Sequence, residues 1–116
     1  MTDDTLQRTL DRLPPPDVPP VVRDGIRYEP VMGDPPQVGG LIAACDAASG
    51  RHLWTLAVFD NIRQPGLEGD VQDVFVSALR FDADGVLHVT DEHGRHWLVD
   101  VAARTSAPAP QDPAGR

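Results

Sequence analysis

Apolar and polar residues alternate through the middle of the chain, and glycine interrupts the alternation at short intervals. "LIAACDA" (41–47) and "RHLWTLAVF" (51–59) flank Ala48-Ser49-Gly50. "DVFVSALRFD" (73–82) and "VLHVTD" (86–91) flank Ala83-Asp84-Gly85, and "VLHVTD" and "RHWLVDVA" (95–102) flank Glu92-His93-Gly94. Each junction is two turn-tolerant residues followed by Gly, which predicts a three-residue hairpin closed by a glycine at positive φ. With these loops, Val89 falls opposite Trp97, Leu87 opposite Val99, Phe81 opposite Leu87 and Leu79 opposite Val89. One common face then carries Phe75, Leu79, Phe81, Leu87, Val89, Trp97, Val99 and Val101. An earlier run, "IRYEPVM" (26–32), is an edge or broken strand, because Pro30 has no ladder donor. The expected fold class is all-β: a small antiparallel β-meander of five to six strands, with a short N-terminal helix.

That helix is predicted over 2–13, "TDDTLQRTLDRL". Thr2, Asp3 or Asp4 caps it, and Leu6, Leu10 and Leu13 form one stripe. Pro14-Pro15-Pro16 ends it, and "PPPDVPP" (14–20) is a semi-rigid spacer. So short a helix is marginal alone in water, so its stripe needs a surface to lie on. From Thr105 on, "TSAPAPQDPAGR" offers no large apolar residue, which predicts disorder. The organisation read from the chain is a helix and Pro-rich linker over 1–25, a β domain over 26–104 and a disordered tail over 105–116.

The first hairpin differs from the others. With Ala48-Ser49-Gly50 as its loop, Ile42, Ala44, Trp54, Leu56 and Val58 share one side. Leu41, Ala43, Cys45, Leu53, Ala57 and Phe59 share the other. A strand pair apolar on both faces needs cover on both. The expected covers are a second copy of the chain, giving a two-fold homodimer, and the Leu6/Leu10/Leu13 stripe completing the cover.

Charge narrows the partners. The 116 residues carry a net charge of −8, and all ten basic residues are Arg. Without a basic stripe, nucleic acid and anionic membrane surfaces are not expected ligands. The start carries Asp3 and Asp4 where a secretory leader needs positive charge, and no run approaches a membrane span. The expected compartment is the cytoplasm. Cys45, the single cysteine, has no internal disulfide partner and sits in an apolar run, so it reads as an inert buried thiol.

Gly50-Arg51-His52 and Gly94-Arg95-His96 repeat a tripeptide, followed by Trp54 and Trp97. The Trp comes four residues after the first Gly and three after the second. The two copies are therefore read as one turn built twice, with side chains that do not match in direction. Around the first copy, Ala44, Asp46, Ser49, Gly50 and Trp54 spell A-x-D-x-x-[ST]-G-x-x-x-W. This resembles the repeat of pyrroloquinoline-quinone enzymes and related β-propellers. The resemblance covers 44–54 directly and implies antiparallel hairpins docked through the motif. It implies no quinone site, because that family holds its cofactor with residues that this chain does not match, and so short a chain encloses no central channel. No cofactor is expected.

Two groups of residues are candidates for chemistry. His88 and His96 fall on one sheet face, diagonal across a hairpin, and imidazoles beside Asp91, Glu92 and His93 are the donor types that zinc takes. Arg80 and Arg95 nearby oppose a cation. The connection at 60–73 gathers Asp60, Glu68, Asp70 and Asp73, with no calcium-loop spacing, and reads as an acidic contact for a basic partner. No phosphate loop, nucleophile elbow or paired-Cys motif is present. The expected function is a β-sheet interaction module that self-associates, with interaction residues Glu68, Asp70, Asp73, Leu6, Leu10 and Leu13; whether it also catalyses a reaction is left open by the sequence. The alternatives are a metal-binding or enzymatic accessory protein using His88 and His96, and a structural subunit of a larger complex.

Overall fold

The computed structural model describes residues 17–61 and 73–110. Eight strands form two four-stranded antiparallel sheets. The first contains β1 (Val21–Arg23), β2 (Ile26–Val31), β3 (Leu41–Asp46) and β4 (His52–Ala57) in sequence order. The second contains β5 (Val76–Phe81), β6 (Leu87–Asp91), β7 (His96–Asp100) and β8 (Thr105–Pro108), again in order. The all-β antiparallel class holds, but the single meander of five to six strands is corrected to two meanders of four. No helix occurs among the described residues, and the one expected over 2–13 falls outside them. None of the described helices is long and apolar enough to cross a membrane, since there are none.

The extra strands lie in segments that the alternation passed over. Asp24 (φ 55) and Gly25 (φ 79) both adopt left-handed backbone, the requirement of a type I′ hairpin turn. That turn pairs Arg23 with Ile26 and creates β1 within the expected linker. At the other end, Thr105–Pro108, expected to be disordered, is β8. Its neighbour β7 supplies the ladder, and the Ser106 hydroxyl donates to the Val58 carbonyl of the first sheet. Backbone pairing holds a strand that has no large side chain to bury.

The expected registers are found: Leu79 opposite Val89, Phe81 opposite Leu87, Leu87 opposite Val99, Val89 opposite Trp97. Gly50, Gly85 and Gly94 all have positive φ, at 79°, 85° and 80°. Two bulges alter the detail. One between Val76 and Ala78 shifts the phase of β5, so Val76 (2% exposed) takes the core position that strict alternation gave to Phe75. The other concerns the repeated tripeptide. The first loop is one residue longer than expected: the Asp46 amide donates to the Arg51 carbonyl, and Gly50 N–H donates to the Asp46 carbonyl. Cys45 then pairs with His52 but Ala44 pairs with Trp54, leaving Leu53 as the extra residue. The Leu that separates "GRHLW" from "GRHW" is therefore the bulge. It realigns the copies, so Trp54 and Trp97 both pack against the core, and the expected mismatch of direction is corrected.

Inward faces of both sheets share one core. Tyr28, Ile42, Ala44, Val58 and Phe59 meet Val76, Leu87, Val89 and Val99. Tyr28 meets Phe81 edge-on with centroids 5.2 Å apart, and Phe59 stacks on Trp97 at 5.2 Å. Such aromatic pairs add to the burial that joins the sheets. At the junction, a Cβ on Gly39 would collide with the Val74 carbonyl oxygen, so only glycine allows this approach.

Candidate functional site

Polar side chains concentrate on the turns and on the outer face of the second sheet. Four aspartates organise four turns. Asp46 Oδ1 accepts the amides of Ala48 and Ser49, and Asp100 Oδ1 accepts those of Ala102 and Ala103. Asp82 Oδ1 accepts the amides of Asp84 and Val86, and Asp91 Oδ1 those of His93 and Arg95. Each carboxylate satisfies loop amides that the ladder cannot reach.

Asp91 is the most committed of them. It is 1% exposed and is the one buried charged residue among those described. Its Oδ2 accepts from Arg95 Nε at 2.7 Å and, at a long 3.4 Å, from Trp97 Nε1. Burial alone pushes this carboxyl up. The Arg95 amide, the Arg95 guanidinium, the His93 amide and the Trp97 indole together outweigh burial and hold the acid below its ordinary value. The Arg95 guanidinium lies 5.9 Å from both the Phe59 and the Trp97 ring centroids, against the stacked pair.

The two candidate metal histidines lie on the outer face, as expected, with ring centroids 5.8 Å apart. Their ring nitrogens are largely engaged. His88 Nε2 lies 2.8 Å from Asp82 Oδ2, and Arg80 lies 3.3 Å from Nδ1. With Arg80 donating to Nδ1, the neutral ring donates from Nε2 to Asp82. His96 Nδ1 pairs with the Thr90 hydroxyl at 3.2 Å. A cation here would have to displace both the Arg80 and Asp82 contacts, and no group of three His, Cys, Asp or Glu able to hold a metal occurs among the described residues. The His88 contact is the main cause that lowers the Asp82 acid, followed by the Val86 amide.

Of the acidic connection, Asp60 is exposed and Asp73 half-buried, while Glu68 and Asp70 lie outside the described residues, as do Leu6, Leu10 and Leu13. The apolar surface is better defined. Pro30, Val31, Met32, Gly40, Leu41, Phe75 and Val76 line a cleft of about 150 Å³ where β2 and β3 meet the entry to β5. Met32 at its rim is 60% exposed. Sequence reading missed both this cleft and the turn aspartates. The aspartates had a signal, since Asp82 and Asp91 each precede a turn glycine by three residues. The cleft had none, because it depends on the bulge that turns Phe75 out of the core. No known protein family, characterised protein or solved structure significantly matches this chain.

Proposed function

We propose that the chain is a small β-sheet interaction module that self-associates as a homodimer through the Met32 end of the first sheet. The observation that carries this reading is the exposed Met32 beside an apolar cleft lined by Val31, Leu41 and Phe75. One copy thus offers both a flexible apolar side chain and a recess of about the volume that an apolar group fills. Two copies related by a two-fold axis satisfy both at once, which is the requirement of an isologous contact. The polar side chains support the reading from the other side: Asp46, Asp82, Asp91 and Asp100 hold turns, and His88 is held by Asp82 and Arg80.

Light scattering with chromatography at micromolar concentration tests it. The expected mass is twice the 12.6 kDa protomer. Met32→Glu should shift the mass to a monomer without changing the melting temperature, because Met32 contributes little to the core. A wild-type monomer at 100 μM, as an order of magnitude for weak dimers, overturns the reading.

A further inference from the structure

The outer face of the second sheet gathers hydrogen-bond donors. Strand registers place Arg80, His88 and Leu98 in one cross-strand row and Ala78, Thr90 and His96 in the next. Two contacts hold the His88 ring: Asp82 Oδ2 lies 2.8 Å from Nε2, and Arg80 Nη2 lies 3.3 Å from Nδ1. Asp82 is itself fixed, because its Oδ1 accepts the Asp84 and Val86 amides. The His88 side chain is 18% exposed and that of Asp82 30%, so water screens their pair incompletely. The His96 ring lies 5.8 Å from that of His88, and its Nδ1 meets the Thr90 hydroxyl. Across the sheet, β8 continues the His88 row with the uncharged Ala107, and Asp100 stands one row beyond, towards Asp82.

The Arg80 contact depends on the charge of His88. Nδ1 of the neutral ring accepts from Arg80, and the two groups close on each other. A proton on Nδ1 turns that acceptor into a donor. Two donors then face each other across 3.3 Å, and an acceptor oxygen must enter between them. Nε2–H keeps its acceptor in Asp82, so the ring stays where it is. The local charge changes in the same step. Arg80 and Asp82 cancel while both rings are neutral, and two protonated rings leave the cluster doubly positive.

We propose that Arg80 and His88, with His96 beside them, form a site for a free oxyanion of the sulfate or phosphate type, open when His88 carries a proton and closed by Arg80 when it does not. The anion accepts from Arg80 Nη2 and His88 Nδ1–H, both charge-assisted donors, and His96 adds a second positive ring. Asp82 is the positioning residue: it opposes an anion by its charge, but both its oxygens already accept hydrogen bonds, from the ring and from its own turn. Ala78, small and exposed next to Arg80 along β5, leaves the approach to the guanidinium open. The site is on the second sheet and uses none of the residues that line the Met32 cleft, so it stands apart from the proposed dimer contact.

Sulfate is the probe, because it keeps its charge across the range in which imidazoles titrate, so a change in affinity reports the protein alone. The full-length protein is titrated with sodium sulfate at about pH 5.5 and about pH 8, with ionic strength held constant by sodium chloride. Histidine side-chain NMR resonances follow the binding. At the lower pH the His88 resonances should shift saturably, with a Kd at least about tenfold below that at the higher pH. Arg80→Gln should weaken binding at the lower pH by at least about tenfold and leave the melting temperature unchanged, because Arg80 is exposed. Equal affinities at the two pH values overturn the proposal, and this comparison needs no variant. So does a shift that never saturates, or one that Arg80→Gln leaves as it is, since either assigns the response to general screening.

Discussion

Replacing Asp91 should damage the fold more than replacing any other turn aspartate. Asp91→Asn keeps the shape and leaves Oδ1 to accept the His93 and Arg95 amides. It replaces Oδ2, the acceptor of Arg95 Nε at 2.7 Å, with a donor. A hydrogen bond to a charged group contributes about 1.5–3 kcal/mol. The Arg95 side chain is 56% exposed, so water recovers part of the loss, and about 1–2 kcal/mol remains. Asp91→Ala also strands the two loop amides and leaves a void at a fully enclosed position. Partial rehydration of the exposed loop limits this further cost to about 2 kcal/mol, for a total of about 3–4 kcal/mol. A domain this small is stable by roughly 5–10 kcal/mol, so the loss is a large fraction. Urea unfolding followed by tryptophan fluorescence measures it. The sign with pH follows from the lowered acid. Asp91 contributes full stability above its ordinary value of 3.8, and the contribution is lost as pH falls through the lower folded value. Asp91→Asn should therefore flatten the decline in stability below about pH 4. An Asp91→Ala midpoint within 0.5 kcal/mol of wild type, as an approximate detection limit, refutes the reasoning.

Gly94→Val should cost about 1–2 kcal/mol by urea unfolding, since a Cβ there meets no atom within 4 Å and only left-handed strain is at stake. Gly39→Ala should cost more, at least about 3 kcal/mol, because the Val74 carbonyl must move; a smaller loss than at Gly94 contradicts the close approach. His88→Ala should raise the Asp82 acid toward its ordinary 3.8 in a carboxylate NMR titration, because the imidazole contact is the largest cause of its depression. An unmoved Asp82 titration removes that cause. Elemental analysis of the native protein should find no stoichiometric zinc or calcium, and a metal lost on His88→Ala or Asp70→Ala overturns this expectation.

The hairpins were legible because their information is local. A glycine that needs positive φ fixes the loop, and the period of two then fixes which residues face each other, as Leu87–Val99 and Phe81–Leu87 illustrate. Bulges break that inference. Phe75 looks inward by alternation, but one unpaired residue in β5 hands its place to Val76. Leu53 appeared as an offset between two repeats, although it restores their alignment. The β1 strand was overlooked because three residues give no periodicity, although Asp24-Gly25 is a strong hairpin signal. The β8 strand was overlooked because backbone pairing rather than side-chain burial makes it. Of the candidate site, the outer-face location of His88 and His96 follows from alternation alone. Their engagement by Arg80, Asp82 and Thr90 depends on rotamers that spacing does not encode.

Both sheets are ordered as the chain runs, so every strand pairs with its neighbour in sequence. This has a kinetic consequence. Closing each hairpin costs only the entropy of a short loop, and six such closures build both layers without a distant contact. Folding should therefore be fast for an all-β protein, with a chevron free of slow pairing steps. Among the described strands, the non-local event is docking of one finished layer on the other, with Tyr28 against Phe81 and Phe59 against Trp97. Truncation of those rings should slow folding, whereas the same truncation within a hairpin should mainly speed unfolding.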